Sequence, residues 1–228
     1  FGNYIEACKK LGQGIEMREE YAFDGKVRIA WRRPEPTWRN LFTGVDLAID
    51  KGDAAADTAF YTGAIADRAK HVVELRRGKV EGPNIVRNMI DIVRRYPTHL
   101  AFRVETNQGQ RYIKQFVDEP GVLEALGATP DEAARIKIYS HTTGRNKSEE
   151  QVGVRAMSLD FERKRWPIPC GDDMETCDLI QEWLDGLKAF DPVNHADDMV
   201  IASWLFWEQT RDFGVGSGDW ERFGIFVP

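Results

Sequence analysis

The sequence predicts an α/β fold, a central mixed β-sheet flanked by α-helices. Short runs rich in β-branched and aromatic residues alternate with longer runs whose apolar residues recur at helical spacing. The first strand-like runs follow one another directly, and the later ones are separated by helices, so an antiparallel meander precedes crossover-connected strands. The 228 residues, 42% hydrophobic and 30% charged, suffice for one buried core of ordinary composition.

The segments read as follows in chain order. Residues 1–36 form an opening linker or accessory segment, with a short helix at 4–11 and a strand at 26–31. Arg32-Arg33-Pro34-Glu35-Pro36 closes it, since each proline blocks helix and removes a backbone donor. The main domain spans 37–213. Its first strand is LFTGVDLAI at 41–49, followed by a turn at Lys51-Gly52-Asp53 and strands at 59–65 and 71–76. A helix over 84–95 carries Ile85, Met89, Ile92 and Val93 at helical spacing, with Pro83 where a helix start tolerates proline. A second buried strand, 100–104, ends at Glu105-Thr106-Asn107. Beyond it come a helix at 109–117, a strand at 135–139, a helix at 148–160 and a short strand at 165–168. An amphipathic helix at 175–187 aligns Leu179, Ile180, Trp183 and Leu187. A last helix covers 197–210. The tail, 214–228, is rich in glycine and expected to be loosely ordered.

Composition narrows the function classes. No apolar run approaches the ~18 residues of a membrane helix, and no signal peptide is visible. Cys8, Cys170 and Cys177 are too few for a disulfide framework, fit no common zinc spacing, and read as reduced thiols of an intracellular protein. The net charge of −6 argues against a general polyanion-binding surface. It is compatible with a carboxylate cluster whose bound metals supply the missing positive charge. The chain opens with Phe1, which fits a piece of a longer protein.

Acids occur at three positions where strands or helices end. Asp46 lies inside the first apolar strand, where a carboxylate is costly to bury unless paired or metal-bound. Glu105 terminates the second buried strand, and Asp197 and Asp198 open the last helix. Taken singly, Asp46 fits an Asx turn, Glu105 a surface acid, and the aspartate pair the acidic first turn that a helix dipole favours. Taken together and in this order, they suit a site for two Mg²⁺ or Mn²⁺ ions, hard cations that take oxygen ligands. Two such ions about 4 Å apart serve both ends of an in-line phosphodiester displacement.

Four stretches now resemble the C-terminal nuclease domain of the large terminase subunits of tailed phages, over roughly residues 40–210. GVDLAIDKGDAAADTAF is similar to the family's opening strand, with Asp46 as the implied metal ligand and Asp57 as the later acid of the motif, standing behind the ligands rather than on the metal. VETNQGQ resembles its second acidic strand end, with Glu105 as ligand. Asn146-Lys147, Arg155 and the RWPIP stretch resemble an Asn-Lys…Arg helix leading to a strand that ends in proline. HADDMVIASWLF resembles the His-Asp-Asp start of the last helix. The family often has a further acid at the position of Ile201, so the third ligand falls to Asp197 or Asp198, and both stay open.

The resemblance implies an RNase H-like fold and a metal-dependent endonuclease that cuts concatemeric double-stranded DNA with little sequence preference. It implies Asp46, Glu105, Asp197, Asp198 and Lys147 as catalytic residues, with His195 beside the metals. The DNA contacts read from the sequence are Arg76, Arg77 and Lys79 around an expected hairpin tip at Gly78, Arg145 and Lys147, and Arg155. His141, Thr142 and Thr143 add possible donors. No GxxxxGK[ST] phosphate loop occurs, so the ATPase motor of a full terminase is expected to lie outside this chain. The implied partners are that motor domain, the portal and the small terminase subunit, in the cytoplasm of a host cell and away from membranes. Two alternatives remain open: another RNase H-like nuclease, such as a Holliday junction resolvase, and an RNase H-like docking module without catalysis.

Overall fold

The computed structural model describes residues 1–48, 57–80, 82–105, 111–141, 153–191 and 197–212. Seven strands form one sheet: β1 (Arg18–Ala22), β2 (Val27–Trp31), β3 (Leu41–Asp46), β4 (Thr58–Ala66), β5 (Ala69–Gly78), β6 (His99–Glu105) and β7 (Ile138–His141), in the spatial order β1-β2-β5-β4-β3-β6-β7. β1 through β5 pair antiparallel, whereas β6 runs parallel to β3 and β7 parallel to β6. The antiparallel-then-crossover order expected from the sequence is therefore present.

Turn chemistry sets the hairpins. Asp67 and Arg68 both adopt positive φ, the pair of left-handed residues that a tight β4–β5 hairpin needs. β5 then continues to Gly78, which pairs with both Val27 and Thr58. Gly78 is thus a strand residue rather than the hairpin tip expected there. The opening segment supplies more than one strand, because residues 18–22 fold back on β2 through Phe23, Asp24 and Gly25, all at positive φ.

Each face of the sheet is covered. α2 (Gly82–Arg95) packs one face through Ile85, Val86, Met89, Ile92 and Val93, joined by α3 (Arg111–Asp118), α4 (Val122–Ala125) and α5 (Pro130–Arg135). The other face carries α1 (Gly2–Leu11), α6 (Ser158–Glu162), α7 (Asp178–Ala189) and α8 (Asp198–Asp212), built round Trp166, Trp183, Trp204 and Phe206. Among the described residues no helix is long and apolar enough to cross a membrane.

Several sequence-based boundaries shift for local reasons. Residues 130–135 are helical because Thr129 and Glu132 form a capping box with Pro130 in the first turn, so β7 starts only at Ile138. Residues 154–157 form a 3-10 turn leading into α6, where a longer helix was expected; 148–152 lie outside the described residues. The stretch 165–168 is no strand: Lys70 donates to the Arg165 carbonyl and Ile168 to that of Cys8, single bonds to two unrelated partners rather than a ladder.

α8 fixes the geometry of the site. It lies so close on β3 and β4 that a Cβ on Gly44 would stand 2.0 Å from the Ala202 carbonyl, and one on Gly63 2.5 Å from the Phe206 ring. Gly63 pairs with Phe42. The same Cβ on Gly44 would stand 2.4 Å from the Phe206 nitrogen, so Gly44 lies against the Ala202–Phe206 turn of α8. Asp198 opens the helix one turn before Ala202, and its Oδ2 accepts the Asp57 N–H beside the start of β4, the strand that pairs with β3 as far as Asp46.

Candidate metal centre

The acids meet along one line of the sheet. Paired residues on neighbouring strands share a face. Arg77 pairs with Ala59, Ala59 with Asp46, and Glu105 with His141. Between them, Val45 pairs with Val104, so the parallel register carries Asp46 next to Glu105 at the C-terminal ends of β3 and β6. All of these residues share the α8 face, because Gly44, two residues before Asp46, touches that helix. Asp46 is half-buried, and Glu105 is buried at 4% exposure.

The two aspartates at the start of α8 have different partners. Asp197 Oδ1 accepts from the backbone N–H of Met199 at 2.9 Å and of Val200 at 3.4 Å, the geometry of a helix N-cap. Its Oδ2 takes Arg77 Nη1 at 3.0 Å. Both oxygens of Asp197 are thus engaged. Asp198 Oδ2 accepts the Asp57 backbone N–H at 3.0 Å. Burial pushes the Asp198 carboxyl up to about 6, with the neighbouring Asp197 and Asp57 charges adding to the rise; the Asp57 N–H and Arg77 oppose it. Arg77 Nε also donates to Asp57 Oδ2 at 3.0 Å, so one guanidinium joins Asp57 to Asp197 and pairs with neither oxygen of Asp198.

The oxygen donors suit a hard divalent cation in kind. Among the described residues no three Asp, Glu, His or Cys side chains close round a single point, so the donors stand along an edge rather than in a finished shell. Asp46, Glu105 and Asp198, the last with a carboxyl pKa that burial raises, stand together at this edge, and a bound cation would compensate their gathered negative charge.

The remaining expectations divide. Arg76 is a correction: it is fully buried on the opposite face, where it donates to Glu74, to Asn88 Oδ1 at 2.9 Å and to Asp91 Oδ2 at 2.6 Å, so it cannot reach DNA. Its neighbour Arg77 faces the acids because successive strand residues alternate. Lys79 and Arg155 are exposed. Arg145, Lys147, His195, Thr142 and Thr143 lie outside the described residues. His141 reaches the line of acids from β7, with its ring edge-on to Trp204 at 5.2 Å. Its register partner Glu105 ends a strand predicted from sequence, but β7 itself was displaced in that reading.

A meander of three antiparallel strands extended by two parallel ones, with acids at the ends of the adjoining parallel strands β3 and β6, is the RNase H-like arrangement. No family model and no curated protein matches the chain. Among solved structures it is similar to the large terminase nuclease of thermophilic phage G20c, with a TM-score of 0.56 at 15% identity over 89% of this chain and 96% of that one. The same nuclease with bound magnesium aligns with a TM-score of 0.55 at 14% identity. The terminase nuclease domain of human cytomegalovirus gives 0.51 at 14% identity, covering 77% of this chain and 86% of that one. The large terminase of bacteriophage D6E gives 0.50 at 12% identity; the match covers 80% of this chain and 42% of the D6E protein. At these identities the likeness is one of fold: the chain has the RNase H-like fold of terminase nuclease domains.

Proposed function

We propose that the chain is the nuclease of a DNA-packaging terminase, an endonuclease that hydrolyses phosphodiester bonds of concatemeric double-stranded DNA with Mg²⁺ or Mn²⁺ and little sequence preference. The observation that carries this reading is the register that brings Asp46 beside Glu105 under the first turn of α8. Asp46, Glu105 and Asp198 would hold two ions, which when bound activate water and stabilise the leaving oxygen. Asp197 caps α8 and, with Arg77 and Asp57, fixes the helix start against the strand ends, so it positions Asp198 rather than replacing it. Lys147, by its place in the motif, contacts the scissile phosphate, and His195 stands beside the ions. Arg145, Arg155 and Lys79 contact the DNA backbone. The ATPase motor, portal and small subunit are the proposed partners, in the cytoplasm of a host cell.

Nicking of supercoiled plasmid in millimolar Mn²⁺ or Mg²⁺ tests the proposal. Asp46→Asn and Glu105→Gln are each expected to abolish it, with circular dichroism unchanged. Nicking by Asp46→Asn close to that of the wild type would contradict the assignment, and a strong preference for four-way junctions over linear duplex would point to a resolvase.

A further inference from the structure

A pocket of about 740 Å³ lies at the end of the sheet opposite the acids. It is lined by Asn40, just before β3, by His99, which opens β6, and by Ile65 near the close of β4, whereas Asp46 and Glu105 end the two parallel strands. The length of β3, about 17 Å, separates the two places. The end of α5 and the turn into β7 add Arg135 and Lys137 to the wall.

The charge of this pocket runs against that of the molecule. Arg39, Arg135 and Lys137 line it with a single acid, Asp67, in a chain whose net charge is −6. None of the three cations pairs with a carboxylate among the described residues. Both guanidinium groups are anchored on backbone instead. Arg135 Nη1 donates to the Val93 carbonyl, in the last turn of α2, at 2.6 Å, and Arg39 Nη1 donates to the Pro36 carbonyl at 2.8 Å. One nitrogen of each is thus used, and the other N–H groups have no acceptor among the described residues. Arg28, Arg76, Arg77, Arg94 and Arg95 differ, since each faces a carboxylate. His99 lines the pocket with a buried Nδ1 that has no hydrogen-bond partner, while its Nε2 meets Thr43 at 3.0 Å. Burial and the Arg135 charge push the His99 imidazole down to about 3, so the ring is neutral near pH 7 and the positive charge rests on the three cations.

Anchored guanidinium forks with open N–H groups suit a phosphate, and an ammonium adds a point charge beside them. Trp38, Ile65 and Leu100 give the same pocket an apolar wall, and its volume is that of a site for a small organic molecule rather than a lone ion. We propose that this pocket binds a phosphate-bearing ligand of nucleotide size, with the phosphate on Arg39, Arg135 and Lys137 and the remainder against the apolar wall. A free nucleotide and the terminal nucleotide of a DNA strand present that chemistry alike. The site is separate from the line of acids, and its occupancy does not depend on the nuclease reading.

The test uses the full chain in EDTA, which keeps divalent ions, and phosphates bound through them, off the acids. Isothermal titration calorimetry is run with ADP, with succinate, and with a short duplex carrying or lacking 5′-phosphates. Arg39→Glu and Lys137→Glu alter exposed side chains that touch no carboxylate, so melting without ligand is expected to match the wild type. ADP is expected to bind the wild type, and each variant to weaken it by at least roughly ten-fold. If the phosphorylated duplex also binds and the variants lose it too, the phosphate is that of a DNA end; if only ADP shows the loss, it is that of a free nucleotide. Binding of neither ADP nor phosphorylated duplex, affinities unchanged in both variants, or succinate held as tightly as ADP would each overturn the site. Plasmid nicking in Mn²⁺, measured alongside, bears on the nuclease reading alone.

Discussion

At the scale of single residues, the pair that opens α8 shows how structure resolves what sequence leaves open. Asp197 and Asp198 are chemically identical neighbours, and nothing in the chain near them says which one is held. The partners that decide come from 120 and 141 residues away: Arg77 takes Asp197, and the Asp57 N–H meets Asp198. The two substitutions should therefore separate. Asp197→Ala removes a cap and an ion pair, and a lost cap costs about 1 kcal/mol, so melting falls while the gain from Mn²⁺ persists. Asp198→Asn removes a carboxyl that the fold already holds well above its usual range. The protein pays for the ionised form near neutral pH, and an amide oxygen can still accept from Asp57. Metal-free melting is then expected to stay level or rise, and the Mn²⁺ gain to disappear, since only binding to the native state raises stability. Differential scanning calorimetry with and without Mn²⁺ reads both effects; the reverse pattern would make Asp197 the ligand.

At the scale of elements, β5 explains one failure of the sequence reading. Arg76, Arg77 and Lys79 look like a basic cluster in one dimension. In a strand, alternation sends Arg76 under α2 and Arg77 toward the acids. A β-bulge where Thr62 pairs with Glu74 and Gly63 with Val72 puts Val73 and Leu75, two residues apart, on opposite faces, and this break in alternation hides the phase. Arg76→Ala leaves buried Glu74 to Tyr96 at 2.8 Å and to the more distant Arg95 at 3.6 Å, and removing the nearer partner of a buried ion pair costs about 3–5 kcal/mol. Chemical denaturation is expected to show a loss of that size. A loss below about 1 kcal/mol would mean that the network contributes little. Other elements were legible. The apolar run of β3, the amphipathic α2 and the acid-led α8 carry their signals locally. The Thr129-Pro130-Asp131-Glu132 start of α5 also carries its signal locally and went unread, which displaced β7 and with it His141 from the expected line.

At the scale of the whole molecule, the order of strands and helices predicted the sheet, and the three acid positions read from the sequence fall on the strand ends and the helix start that meet at one edge of it. The closeness of β3, β6 and α8 follows from register and from Gly44, long-range facts that no local pattern holds. With a net charge of −6, the proposed DNA binding would rest on a few phosphate contacts and bound cations. Duplex affinity should fall steeply with salt, by about 0.9 in log–log slope per contact, and Lys147→Ala should slow cleavage of every sequence by a similar factor. Sequencing of plasmid ends checks this; a few sharply favoured sites, or a loss confined to some sequences, would indicate base reading instead.

On the proposed function, β3, β6 and α8 together would hold the catalytic ions. Anomalous diffraction from crystals soaked in Mn²⁺ measures that most directly. Manganese peaks are expected within coordination distance of Asp46, Glu105 and Asp198, with Asp197 still bound to Arg77. Peaks confined to other acids, or none at these three under conditions where plasmid is nicked, would contradict it.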